Sequence, residues 1–283
     1  MHVASQQIAV FYPNTSGSLE YNILTAGAWS GEAVAPNTKI SEAPSPVVFG
    51  DKTWVFHQGN NNDGSLWYNV FDGLTWVGDK QVPNTGMSAN PGAVVYNGQI
   101  FVFHQGFHDS GDLWVNAFGA AGWSGDVQVP NTGISSGPSA VAFNNQIYVF
   151  HQGHGSNGSL WYNVFDGTKW LGDTQVPNTG MSSSPSALVF KGQIYVFHQG
   201  YGDNGQLWYN VFDGTNWRGD TQMSGIGMSD SPGAVLALGG IYVFHQGLGD
   251  NTELSYVVLG GTGGDQPVPG STLPTGPGAV ILP

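Results

Sequence analysis

The chain has 283 residues, of which 9% are charged and 13% aromatic, and its six basic and 19 acidic side chains leave a formal charge of −13. So sparse a basic complement gives no electrostatic footprint for nucleic acid or for an anionic membrane surface. With no cysteine, disulfides, thiolate metal sites and a cysteine nucleophile are excluded.

At the start, residues 1–7 lack a basic region followed by an apolar run, so no secretory signal is expected. No stretch approaches the roughly 18 apolar residues of a membrane span. The expectation is a soluble protein, without membrane insertion, that is cytoplasmic or exported by a non-classical route.

Ile8 to Tyr12 is the first strand-like run. From Val55 the pentapeptide Val-Phe-His-Gln-Gly appears, and it returns at Val102, Val149, Val196 and Val243, each 47 residues after the last. A fixed period of that length with strand content in every copy reads as a β-propeller. The copy that starts at Pro185 shows the unit. An apolar run at 186–190 meets the turn pair Lys191-Gly192, and residues 193–199 form a second strand. After a loop, residues 207–212 form a third, and Asp213-Gly214 turns the chain into a fourth near Trp217. Asp-Gly between strand-like runs is a hairpin signal, because glycine reaches positive φ without a Cβ penalty. No segment holds a 3.6-residue period, so no helix is expected.

Innermost strands start at Pro46, Pro91, Pro138, Pro185, Pro232 and Pro277, which makes six. The expected fold is all-β: one domain over 1–283, a six-bladed propeller of four-stranded antiparallel blades. Its chain begins with a second strand and ends with a first, so residues 278–282 should pair beside 8–12 and close the ring without an open edge. The Asp-Gly-x-x-Trp hairpins ending at Trp76, Trp170 and Trp217, with Trp123 and Trp29 as looser copies, are expected to be structural, the indole packing between blades.

Alternating strand direction sorts the loops by face: tight turns on one side, longer polar loops on the other. Long polar loops of repeated identity need a reason beyond closure. On that face converge His57, Gln58 and Trp67 with Met87 and Ser88; His104, Gln105 and Trp114 with Ile134 and Ser135; His151, Gln152 and Trp161 with Met181 and Ser182; and His198, Gln199 and Trp208 with Met228 and Ser229. A neutral sugar suits this chemistry: its hydroxyls need uncharged donors and acceptors, and its C–H faces pack on an aromatic ring or a methionine. The competing reading is that His and Gln satisfy backbone groups between blades and Trp is core; exposure of these groups to water separates the two. The first copy has Tyr12-Pro13 and Glu20 in these places and the last has Ser255 for Trp, so three or four competent pockets are expected. Several weak sites on one disc give avidity for clustered glycans.

The step Tyr195-Val-Phe-His-Gln, the Gly-x-Leu-Trp-Tyr strand and the Phe-Asp-Gly-x-x-Trp hairpin together resemble the fucose-specific propeller lectins of fungi and bacteria, over essentially the whole chain. The resemblance implies sugar sites between adjacent blades on one face. Many fucose lectins anchor the sugar through an arginine and a glutamate beside an aromatic; here the sole arginine is Arg218, so fucose is a first candidate only. The expected function is multivalent binding of neutral sugars, with glycans as partners, no cofactor, no metal and no catalysis, and a homo-oligomer is compatible with it. The alternative is a non-catalytic protein-interaction scaffold. Glycoside cleavage usually needs two carboxylates at a set separation, whereas the acids here are mostly repeated turn aspartates.

Overall fold

The computed structural model describes residues 6–249 and 252–283; Met1 to Ser5, on which the expectation about a secretory signal mostly rests, lie outside them. Among the described residues every regular element is a strand, and none is a helix long and apolar enough to cross a membrane.

One repeat shows why. In Ser139–Phe143, Gln146–Gln152 and Ser159–Phe165 the β-branched and aromatic residues fill pleated, largely buried positions. The strands pair antiparallel in sequence order, with Val141 opposite Tyr148 and Phe150 opposite Tyr162. Thr174–Phe190 then serves twice. Its first residues pair with the third strand, and from Met181 it pairs with the second strand of the next repeat, Gln193–Gly200. The outermost stretch carries Pro177 and Asn178, the latter at φ 52°. A proline and a left-handed residue on an outer edge blunt it against pairing with another chain. Asn37, Asn84 and Asn131 repeat the conformation, and Gly225 and Gly270 take it over in the last two copies.

Six such modules follow one another. Their innermost strands touch in sequence: Ser45–Val48, Lys80–Tyr96, Ser139–Phe143, Thr174–Phe190, Ser229–Ala237 and Gly278–Ile281, the last lying against the first. Gly278–Ile281 also pairs with Gln7–Pro13, Ile8 opposite Ile281 and Phe11 opposite Gly278. Small residues let these strands crowd together. Where the position is serine, its hydroxyl accepts from the next strand, as Ser139 does from the Ala187 amide at 2.9 Å. Where it is glycine, as at Gly92, a Cβ would collide with the Pro138 carbonyl.

Between modules the packing is aromatic. Trp217 meets Phe150 of the preceding module edge-on at 6.0 Å and lies tilted against Tyr162 at 5.8 Å. Trp76 makes the same approach to Phe11, Trp123 to Phe56, Trp170 to Phe103, and Trp29 to Phe244 of the last module. The hairpin tryptophans are inter-module core. Their turns are held by carboxylates: Asp166 accepts from the Thr168 hydroxyl and from the amides of Thr168 and Lys169. These bonds pull its pKa below the usual carboxylate value, as they do for Asp72 and Asp213.

Candidate functional site

The long loops gather on one face, and their repeated polar residues can be followed one by one. His57, His104, His151, His198 and His245 are all fully buried. In each ring Nδ1 faces the carbonyl of the following glutamine and Nε2 faces the aspartate directly before the fourth strand: Asp79, Asp126, Asp173, Asp220 and Asp265, at 2.9–3.3 Å. Both ring nitrogens are taken by oxygen, and no atom is left for a ligand. In the first module Tyr12 and Glu32 occupy the pair's place and bond at 3.0 Å, the tyrosine pKa driven upward mainly by burial. The expectation that His57, His104, His151 and His198 face a sugar is corrected: they tie the second strand to the fourth.

The glutamines are nearly as enclosed, at 3–7% exposure. Gln58, Gln105, Gln152 and Gln199 each donate Nε2 to a carbonyl in the loop toward the next module, that of Met87, Ile134, Met181 and Met228. The methionines Met87, Met181 and Met228 are themselves fully buried. Ser88, Ser135 and Ser182 accept from the amides of Asp109, Ser156 and Asp203 and so pin the loop that follows the histidine. Trp67, Trp114, Trp161 and Trp208 are half-buried. The indoles of Trp114, Trp161 and Trp208 lie over the glycine of their own His-Gln-Gly step, while Trp67 donates to Asp63 at 3.2 Å. The repeated set is therefore largely a scaffold that shapes the loops. Of it, Gln58, Met87, Ser88, Gln105 and Ser135 border one hollow, and Gln199, Met228 and Ser229 border another.

Hollows of about 340 to 470 Å³ open on the loop face among the described residues. Each is bordered by the residue that directly follows His-Gln-Gly, or by its counterpart: Asn60, Phe107, His154 and Leu248. The fifth member of this row is Tyr201. These side chains cross the junction and cover glycines of the preceding module, Phe107 over Gly64 and Gly86, Tyr201 over Gly158 and Gly180, Leu248 over Gly205 and Gly227. They remain open to water: Phe107 is 46% exposed, Tyr201 64% and Leu248 59%. His108 stacks on Phe107 at 3.8 Å. Sequence reasoning missed this row because it looked for residues that repeat, and this position changes in every copy.

No family model and no curated protein sequence matches the chain. Solved structures do. The fucose-specific lectin from Aleuria aurantia superposes with a TM-score of 0.73 at 16% identity, over 97% of this chain and 93% of that one, and it is described as a six-bladed β-propeller. AofleA from Arthrobotrys oligospora gives 0.72 at 15% identity, over 96% and 84%. This chain folds as a six-bladed propeller. An α-L-arabinofuranosidase from Clostridium thermocellum is more distant, at 0.54 and 14% identity over 85% of this chain and 96% of the enzyme.

The six-bladed fold gives the hollows their setting, at the junctions between neighbouring modules and around the axis. At the axis, Glu42 stands near Asp230. Burial, and then the neighbouring carboxylate, push its pKa up to about 7.

Proposed function

We propose that six four-stranded blades close into a ring whose loop face is a multivalent, non-catalytic carbohydrate-binding surface, with neutral sugars seated at the junctions between blades. The pairing of Gln7–Pro13 with Gly278–Ile281 and the circuit of inner-strand contacts support closure. The observation that carries the function is the row Phe107, Tyr201 and Leu248: large apolar side chains at one module position, held over glycine and left open to water. Exposed aromatic rings beside polar loop groups are what a sugar needs, a surface for its C–H face and hydrogen bonds for its rim. Asp109 follows Phe107 and Asp203 follows Tyr201 by two residues each, and Gln58, Gln105, Ser88 and Ser135 border the Phe107 hollow. The fold likeness to lectins, one of them described as fucose-specific, makes fucose the first sugar to try. Differing residues at the row predict that the junctions differ in affinity.

A glycan array on the intact protein, followed by Phe107→Ala and Tyr201→Ala singly and together, tests the reading. Each substitution should weaken binding roughly tenfold, about 1.4 kcal/mol, with unfolding unchanged because the side chains are exposed. A blank array, or binding that survives the double substitution, sinks the proposal. One stoichiometric protein partner in its place establishes the scaffold alternative.

A further inference from the structure

A cup of about 460 Å³ opens at the propeller axis on the loop face, bordered by Glu42, Gln58, Asn90, Ser183, Ser184 and Asp230 among others. That volume suits a small ligand. Its acceptors are unevenly used. Asp230 is heavily used: its Oδ1 takes the Ser183 hydroxyl at 2.7 Å, the Ser231 amide at 2.7 Å and the Ser231 hydroxyl at 3.0 Å, and its Oδ2 the Gly276 amide at 3.2 Å. Ser184 donates to Asn90 across the mouth at 2.6 Å. By contrast, no hydrogen bond reaches the Glu42 carboxylate among the described residues. Gln58, only 3% exposed, borders the same cup, and its Oε1 has no partner. Two residues that border the cup thus have acceptors without protein donors: Gln58 Oε1, which is closed to solvent, and the anionic carboxylate of Glu42.

No lysine or arginine lines the cup; His108 and Asp109 are its other titratable members. A metal ion fits poorly, because the second axial carboxylate is already spent on four protein donors. Among the described residues no group of three His, Cys, Asp or Glu could hold one. An ammonium group answers the need directly: it brings three N–H donors, no acceptor and a positive charge. The serine hydroxyls and the Asn90 amide around it can serve a ligand's hydroxyl groups. We infer that the axial cup binds a primary ammonium group carried on a small polyhydroxylated molecule, an amino sugar being the simplest form. The cup is the same hollow that Phe107 borders, but its Glu42, Asn90 and Asp230 have no identical counterpart at the matching position of another module.

The decisive measurement compares methyl 6-amino-6-deoxyglucoside with methyl glucoside by isothermal titration against the full chain at pH 8, where Glu42 is ionised. The amino sugar should bind at least tenfold more tightly, with one site per chain. Glu42→Gln should abolish the difference, as should lowering the pH to 5.5. Tyr201→Ala, at a junction whose ring does not border the cup, should leave it intact, so loss of binding at that junction and loss of cup binding are read separately. Equal affinity for the two sugars on the wild-type protein overturns the inference, and needs no variant to fold. A preference that persists in Glu42→Gln overturns it as well.

Discussion

Asn163 Nδ2 donates to Thr132 Oγ1 at 2.7 Å across the junction between two modules, and both residues are buried. The same bond joins Asn69 to Thr38, Asn116 to Thr85, Asn210 to Thr179 and, between the first and last modules, Asn22 to Ser271. At the remaining junction Val257 and Ile226 stand in these places, buried in one apolar cluster. Both partners changed together. That is how a buried polar pair can be replaced, since removing one partner strands the other without water.

The pair is therefore coupled energetically. Thr132→Val should destabilise by about 1–2 kcal/mol, leaving one carboxamide N–H without an acceptor. Asn163→Val should be worse, about 3 kcal/mol, because Oδ1 also accepts from the Val164 and Gly172 amides. The double variant should lose less than the sum, by about 1 kcal/mol, in a urea-denaturation cycle. Strict additivity contradicts the bond.

Asp173→Ala separates a strand tie from a ligand group. It leaves the buried His151 Nε2 facing nothing, and stability should fall by about 2–3 kcal/mol in chemical denaturation. Glycan affinity of the folded variant should stay within twofold of wild type. A selective loss of binding at unchanged stability returns the histidine to the sugar site.

Much of the architecture was readable because a 47-residue period repeats every strand, hairpin and inter-module tryptophan at fixed offsets. The site was harder, since repetition has two causes. His57, His104, His151, His198 and His245 recur because Asp79, Asp126, Asp173, Asp220 and Asp265 recur with them. The clue lay in the first copy, where Tyr12 and Glu32 replace both at once. The glutamines repeat because the loop carbonyls they hold are present in every module. Asn60, Phe107, His154, Tyr201 and Leu248 gave no pattern to see. Their shared position on the loop face emerges only when each module is set beside its predecessor, so that one loop lies over the preceding module's glycines.

Glu42 sets a pH dependence of unusual sign. Its pKa is about 7 in the fold against 4.5 unperturbed, so between these values the native state holds a proton that the unfolded chain has lost. Stability should then decline as pH rises from about 4.5 to 7, by on the order of 2–3 kcal/mol, and level off above. Glu42→Gln should flatten this limb in denaturation series across that range. Asp72, Asp166 and Asp213 act oppositely: their lowered pKa values add stability that is present above the ordinary carboxylate range and lost as pH falls below it. An unchanged slope in Glu42→Gln contradicts the assignment.

Two glycines isolate the seat of Tyr201 from backbone strain. Gly158 and Gly192 both have φ of 72°, where an L-residue is strained. A Cβ on Gly192 meets open space, whereas one on Gly158 runs into the Tyr201 ring. Gly158→Ala and Gly192→Ala should therefore share a backbone penalty of about 1 kcal/mol. Only Gly158→Ala displaces the exposed ring, so it alone should reduce glycan binding, and by about as much as Tyr201→Ala does. Combining Gly158→Ala with Tyr201→Ala should add no further loss, because the first substitution acts through the second residue. If Gly192→Ala weakens binding equally, the effect is general loosening of the fold and the ring is not the platform.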